Sequence, residues 1–157
     1  MVVSMKFKTN SPRKTGGLGA LFAKELLSRP PKTHGAIVVA LVGDLGSGKT
    51  TFIQGFARGA GIRRRLVSPT FTIMRRYGLK TKNFKNLTHV DAYRVNRPAE
   101  LKIIHFKDWL RDPSTIVLIE WADLVKKSLP EDALWLQFTY GKYPHERSVL
   151  FSQQRRK

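Results

Sequence analysis

The sequence predicts a single three-layer α/β domain, in which a mainly parallel central sheet carries antiparallel strands at its edges. Three observations lead there. Residues 36–42 and 116–119 are unbroken apolar runs, the pattern of parallel strands buried on both faces. A glycine-rich turn at 43–48 follows the first run and leads directly into a helical pattern. Shorter segments of alternating polarity lie near both chain ends, as edge strands would. With 157 residues, 41% of them hydrophobic, the chain fits one domain of ordinary size, and a second domain is not expected. Residues 1–152 are read as that domain and residues 153–157 as a basic C-terminal tail.

Met5 and Phe7 alternate with Lys6 and Lys8 as in a half-buried strand ending at Thr9, and Asn10-Ser11-Pro12 then turns the chain. Thr15 is the expected N-cap of the first helix. Leu18, Phe22 and Leu26, with Leu21 beside them, supply its apolar face, and Pro30-Pro31 stop it. After the strand at 36–42 and its turn, a helix is predicted over 49–60, with Phe52, Ile53 and Phe56 inward and Gly61 past its end. Strands are predicted over 70–74 and 87–91, joined as a hairpin through a basic, irregular segment at 77–86. Pro98 opens a short helix through Leu101, and 107–110 forms another. The run from Thr115 is a second buried strand closed by Glu120, and 133–140 with 147–151 make a C-terminal antiparallel pair.

The formal charge is +18, from 29 Lys and Arg against 11 Asp and Glu, and a field of that size favours polyanions. RNA is the first candidate, so tRNA is a candidate partner through the basic surface. No carboxylate lies between Asp44 and Asp91, a span that holds Arg58, Arg63, Arg64, Arg65, Arg75, Arg76, Lys80, Lys82 and Lys85. The competing reading is a solvated basic surface that aids solubility. The absence of cysteine excludes disulfides, thiolate catalysis and cysteine-held zinc. The four histidines are scattered without metal-ligand spacing. No apolar run reaches the roughly 18 residues of a membrane span, and the first residues lack the apolar middle of a secretory signal. A cytoplasmic protein without a membrane partner is expected.

Gly43-Asp44-Leu45-Gly46-Ser47-Gly48-Lys49-Thr50 fits the pattern Gly-x4-Gly-Lys-Ser/Thr at every fixed position. Glycines let consecutive N–H groups turn toward phosphate oxygens, and the following helix adds its partly positive N-terminus. Lys49 supplies a point charge to the outer phosphates, and the Thr50 hydroxyl is suited to magnesium. The fold is thereby narrowed to a P-loop NTPase domain with ATP and Mg2+ as cofactors. ATP is favoured over GTP by elimination, because no Asn-Lys-x-Asp sequence selects guanine. Magnesium needs further acidic help at the end of a neighbouring strand, and both Glu120 and Asp91 close apolar runs. Spacing does not decide which of the two touches the ion and which acts through water.

Four blocks then stand in one order: the loop through Thr51-Phe52, Ser68-Pro69-Thr70-Phe71-Thr72, Asp91-Ala92-Tyr93-Arg94, and Ile119-Glu120-Trp121. Together they resemble the TsaE (YjeE) family, the small ATPase component of bacterial machinery that places threonylcarbamoyl on a tRNA adenosine. The resemblance covers residues 15–130. It implies that Thr15, the loop residues from Gly43 to Thr51, and Trp121 contact the nucleotide, with Thr15 near the adenine and Trp121 as a wall. It implies a switch-like loop at Ser68, Pro69 and Thr70, and service to metal and attacking water by Asp91 and Glu120. It further implies TsaD and TsaB-like partners, which this subunit cycles by hydrolysis without transferring the group itself. Two departures stand out: Arg75-Arg76 replaces an acidic position before Tyr77, and the helices after Asp91 are less acidic than the family's.

No sequence feature holds an arginine over the γ-phosphate, so hydrolysis is expected to be slow alone and faster with partners. Two other functions compete. A small-molecule kinase would phosphorylate an acceptor, although the sequence shows no recognisable lid. A basic RNA-binding module would carry a merely structural nucleotide site. Phosphate released without a phosphorylated acceptor separates the first reading from both.

Overall fold

Successive residues of β2 (Ile37–Val42) point into two different cores, since side chains alternate across a strand. Ile37, Val39 and Leu41 enter one, and Val38 and Ala40 the other. A strand apolar on both sides belongs at the centre of a sheet, and β2 pairs in parallel with β5 (Thr115–Glu120) on one side and β6 (Leu134–Tyr140) on the other. The structure, a computed structural model, describes residues 2–32, 34–67, 69, 72–97 and 99–154.

β4 (Asn86–Asp91) extends the parallel centre beyond β5. Antiparallel strands close the sheet: β3 (Met74–Gly78) beside β4, then β7 (Arg147–Gln154) beside β6, and β1 (Val2–Thr9) beside β7. The seven strands lie in the order β1-β7-β6-β2-β5-β4-β3. α1 (Pro12–Ser28) and α2 (Lys49–Gly59) pack on one face, burying Ala23, Leu26, Phe52, Ile53 and Phe56. The other face is covered by α3 (Glu100–Ile103), α4 (Phe106–Arg111) and a 3₁₀ segment, Ala122–Ser128, through Leu101, Phe106, Ala122 and Val125. The molecule is thus a mixed α/β domain of three layers, as expected. Among the described residues, no helix is long and apolar enough to cross a membrane.

The structure corrects four local expectations. Ser11, not Thr15, caps α1: its side chain accepts the Lys14 N–H at 3.2 Å, and Pro12 occupies the first turn, where no N–H is needed. Leu21 is 67% exposed, and the buried face of α1 is instead Thr15, Gly16, Gly19, Ala23 and Leu26. The cause is the closeness of α2, since a Cβ on Gly19 would stand 2.1 Å from the Phe52 carbonyl oxygen and one on Gly55 only 1.8 Å from that of Gly16. β3 begins at Met74 and includes Tyr77, because Ile73 adopts a left-handed φ of 63° that interrupts extended backbone. Finally, Gln153 and Gln154, assigned to the tail, continue β7, where they pair with Val3 and Val2 of a β1 longer than expected.

Candidate functional site

Three parallel strands end together beside the turn that follows β2. Asp91 closes β4 and stands in register with Glu120, which closes β5. Residues in register on neighbouring strands lie about 5 Å apart, so chain order and sheet order deliver two carboxylates side by side. Carboxyl ends of strands in open α/β sheets are where ligands gather.

The loop itself needs its glycines. Gly46 has φ +75° and Gly48 φ +106°, and a Cβ on Gly43 would stand 2.6 Å from the Phe138 carbonyl oxygen. Gly48 is the N-cap of α2 and offers no side chain, so the first N–H groups of the helix face the loop without a capping oxygen. Asp44, Leu45 and Gly46 are exposed while Ser47 is buried, and Lys49 is only 5% exposed. Its ammonium donates to the carbonyls of Gly43 and Asp44, the latter at 2.9 Å, and lies 4.1 Å above the Trp121 ring. Burial lowers the Lys49 pKa from its ordinary value, against the opposing pull of Glu120, Asp44, Asp123 and Asp91.

The Thr50 hydroxyl donates to Glu120 Oε1 at 2.8 Å, a contact between residues 70 positions apart. Glu120 Oε2 meets His89 Nε2 at 3.0 Å. Burial pushes the Glu120 carboxyl up, but the hydrogen bond and charge of His89, the Thr50 hydroxyl and the Lys49 ammonium together hold it below the usual range. An ionised carboxylate only accepts, so the hydrogen on this side belongs to His89 Nε2. Nδ1 of the same ring is buried with no partner among the described residues.

Asp91 is buried, and its Oδ1 accepts the Tyr93 N–H at 3.0 Å. That bond turns the chain so that the Tyr93 ring lies 4.9 Å from the Trp121 ring. Trp121 itself has φ +56°, which an L-residue holds only when its surroundings demand it. Thr15 sits behind the loop: its hydroxyl bonds Thr9 Oγ1 at 2.7 Å and the Ser11 carbonyl, and its methyl faces Gly48. Thr51 lies on the α1-facing side of α2, beside a groove with Pro12 and Arg13. Of the expected switch-like loop, Pro69 is buried and its carbonyl accepts the Thr72 N–H at 3.1 Å, whereas Ser68 and Thr70 lie outside the described residues.

Three contacts escaped the sequence reading. His89 carried no signal beyond its place two residues before Asp91. The Tyr140 hydroxyl donates to the Leu45 carbonyl, and Arg147 Nη2 donates to that of Gly46 at 3.1 Å while its guanidinium stacks on Tyr140. Both come from the β6–β7 pair, so chain proximity offered no clue.

Comparisons with known proteins identify the family. The family model described as "Threonylcarbamoyl adenosine biosynthesis protein TsaE" matches residues 9–149. A tRNA threonylcarbamoyladenosine biosynthesis protein TsaE of Bacillus subtilis is 35% identical, over 94% of this chain and 85% of the relative. The protein of the same name from Haemophilus influenzae is 37% identical over 83% of this chain and 78% of its own. The crystal structure of Bacillus subtilis YdiB superposes with a TM-score of 0.73 at 29% identity, covering 98% of this chain and 87% of that one. A mixed α/β domain with a glycine loop at the carboxyl ends of its strands is the class that fold and site define. Within that class, this chain belongs to the TsaE family.

Proposed function

We propose that this chain binds and hydrolyses ATP with magnesium and so serves the formation of threonylcarbamoyladenosine on tRNA, cycling TsaD and TsaB-like partners without transferring the group itself. The observation that carries the chemistry is the 2.8 Å contact between the Thr50 hydroxyl and Glu120, which puts the loop and the strand-end carboxylate at one point. The pathway rests on the family and on what its members are named for.

The residues suit these cofactors. Uncapped N–H groups at the start of α2 and the glycine turns are donors that a phosphate would satisfy. Lys49 now donates to loop carbonyls, acceptors it would exchange for outer phosphate oxygens. Among the described residues no three His, Asp or Glu side chains group into a metal cage. Magnesium does not require one, since it is commonly held by one or two carboxylates, phosphates and waters. The Thr50 hydroxyl with Glu120 and Asp91 is an oxygen set of that kind. When bound, magnesium supplies charge that offsets what develops on the transferred phosphoryl group.

The chain's own residues do the rest. The carboxylates of Glu120 and Asp91 orient the attacking water, and the Trp121 ring shields the Lys49 ammonium from solvent. Arg147, an arginine at the loop, is held by the Gly46 carbonyl, which fits slow turnover alone and acceleration by partners.

Single-turnover hydrolysis, alone and with the partners, tests the reading. Lys49→Ala is expected to lose ATP affinity or to slow turnover by about 10² or more, and Thr50→Ala to lose the magnesium dependence of binding. Wild-type behaviour in both variants, or transfer of the phosphate to a small acceptor, would overturn it.

A further inference from the structure

Five cations of the span without carboxylates, Arg58, Arg63, Arg64, Arg65 and Lys80, gather on one surface with Arg13. A groove of about 450 Å³ between the start of α1, the α1-facing side of α2 and the segment that follows α2 is lined by Arg13, Arg58, Arg63, Arg64 and Arg65. A second, of about 570 Å³, lies between the end of α2 and β3 and adds Lys80. The two share Arg63 and Arg64, so the surface is continuous, and among the described residues no carboxylate lines either. All six cations are exposed, and none has an ion-pair partner among the described residues.

The three consecutive arginines are presented by a segment held at both ends. Before them, Ile62 is buried and its N–H bonds the Ala57 carbonyl at 2.9 Å. After them, Leu66 is buried and grips Gln54 twice, accepting from its Nε2 at 2.6 Å and donating to its Oε1 at 3.2 Å. Arg64 is further oriented by the Tyr77 ring, 4.9 Å below its guanidinium. A flexible solvated run would have none of these anchors, and fixed cations lose less entropy on meeting an anion.

We propose that this surface binds the sugar-phosphate backbone of base-paired RNA. Arginine's planar fork matches phosphate oxygens, and a chain of net charge +18 is drawn to a polyanion from a distance. Pairing is implied by the lack of exposed aromatic faces in the grooves among the described residues. Single-strand binders offer aromatic faces on which bases stack, whereas here Tyr77 is buried beneath Arg64, and the exposed Tyr93, Tyr140 and Tyr143 lie outside both grooves. The choice of RNA over DNA rests on the proposed function, but the phosphate chemistry does not.

The test is fluorescence anisotropy of the full chain, without nucleotide, on an RNA hairpin with a stem of about 16 base pairs, across a salt series. Arg63→Gln, Arg64→Gln and Arg65→Gln combined is expected to flatten the log–log salt slope by roughly two to three units. Lys102→Gln, Lys107→Gln and Arg111→Gln combined removes the same charge from the opposite face and is expected to leave the slope near wild type. All six side chains are exposed, and melting curves verify folding. An unchanged slope in the first variant, or an equal loss in the second, would overturn the surface. Tighter binding of an unpaired strand of equal length would overturn the duplex assignment, and equal binding of a DNA duplex the choice of RNA. ATP hydrolysis by the same preparations, expected at wild-type rate, tests the functional reading separately.

Discussion

Glu120 receives hydrogen bonds from two directions, Thr50 on one oxygen and His89 on the other, and this fixes the carboxylate's rotation as well as its charge. In Glu120→Gln the negative charge is lost and one oxygen becomes an amide nitrogen, so either the Thr50 hydroxyl must turn to accept or His89 must change tautomer. Turnover is expected to fall about 10²-fold or more while the fold persists. A pH dependence follows from the same bonds. The folded-state pKa of Glu120 lies below its unfolded value, so its stabilisation is present above the ordinary carboxylate range and disappears as pH falls through the folded value. Urea titrations should therefore show wild type most favoured over Glu120→Gln near neutrality, with the gap closing below about pH 4. A gap independent of pH would refute this account. Glu120 and Asp91 were legible in the sequence because a charge closing an apolar run is a local pattern. His89 was not, because its meaning lies in an atom of Glu120, 31 residues away.

Among the elements, α1 and α2 meet by their backbones. Gly19, Gly55 and Gly59 leave no room for a side chain: a Cβ on Gly59 would stand 2.4 Å from the Ala20 carbonyl oxygen. Gly55→Ala gains up to about 1 kcal/mol in helix propensity, yet it must separate the helices, a strain of about 1–3 kcal/mol or more. Net destabilisation is expected. Gly17→Ala is the internal control, since a Cβ there meets nothing within 4 Å, and it should stabilise by up to about 1 kcal/mol. Thermal melts of the two variants decide, and shifts of the same sign would sink the argument. Leu18, Phe22 and Leu26 gave α1 its helical period. That Leu21 stays outside and glycines turn inward depended on how near α2 comes, which no single helix encodes. Of the strand expected over 70–74, Thr70 and Phe71 lie outside the described residues, and at 72–73 it was misplaced for a related reason: alternating apolar residues do not reveal that Ile73 is held at a positive φ.

At the scale of the molecule, a charge of +18 repels itself, and the described ion pairs are few, all but His89–Glu120 being at least partly open to solvent. Screening should therefore stabilise the fold. The melting temperature is expected to rise by several degrees as sodium chloride is raised from low to physiological concentration, where the Debye length contracts to about 8 Å. A flat or falling melting temperature would mean that attractive pairs outweigh the repulsion. By itself the sequence determined the glycine loop, the two buried strands that frame it, the helix behind it and the family, because each is written in contiguous residues whose chemistry is local. Only the tertiary structure decided that Asp91 stands in register with Glu120, that Thr50 and His89 share one carboxylate, and that Tyr140 and Arg147 clasp the loop from β6 and β7. Each of those contacts joins residues brought together by sheet order, and sheet order is settled by the packing of the whole core.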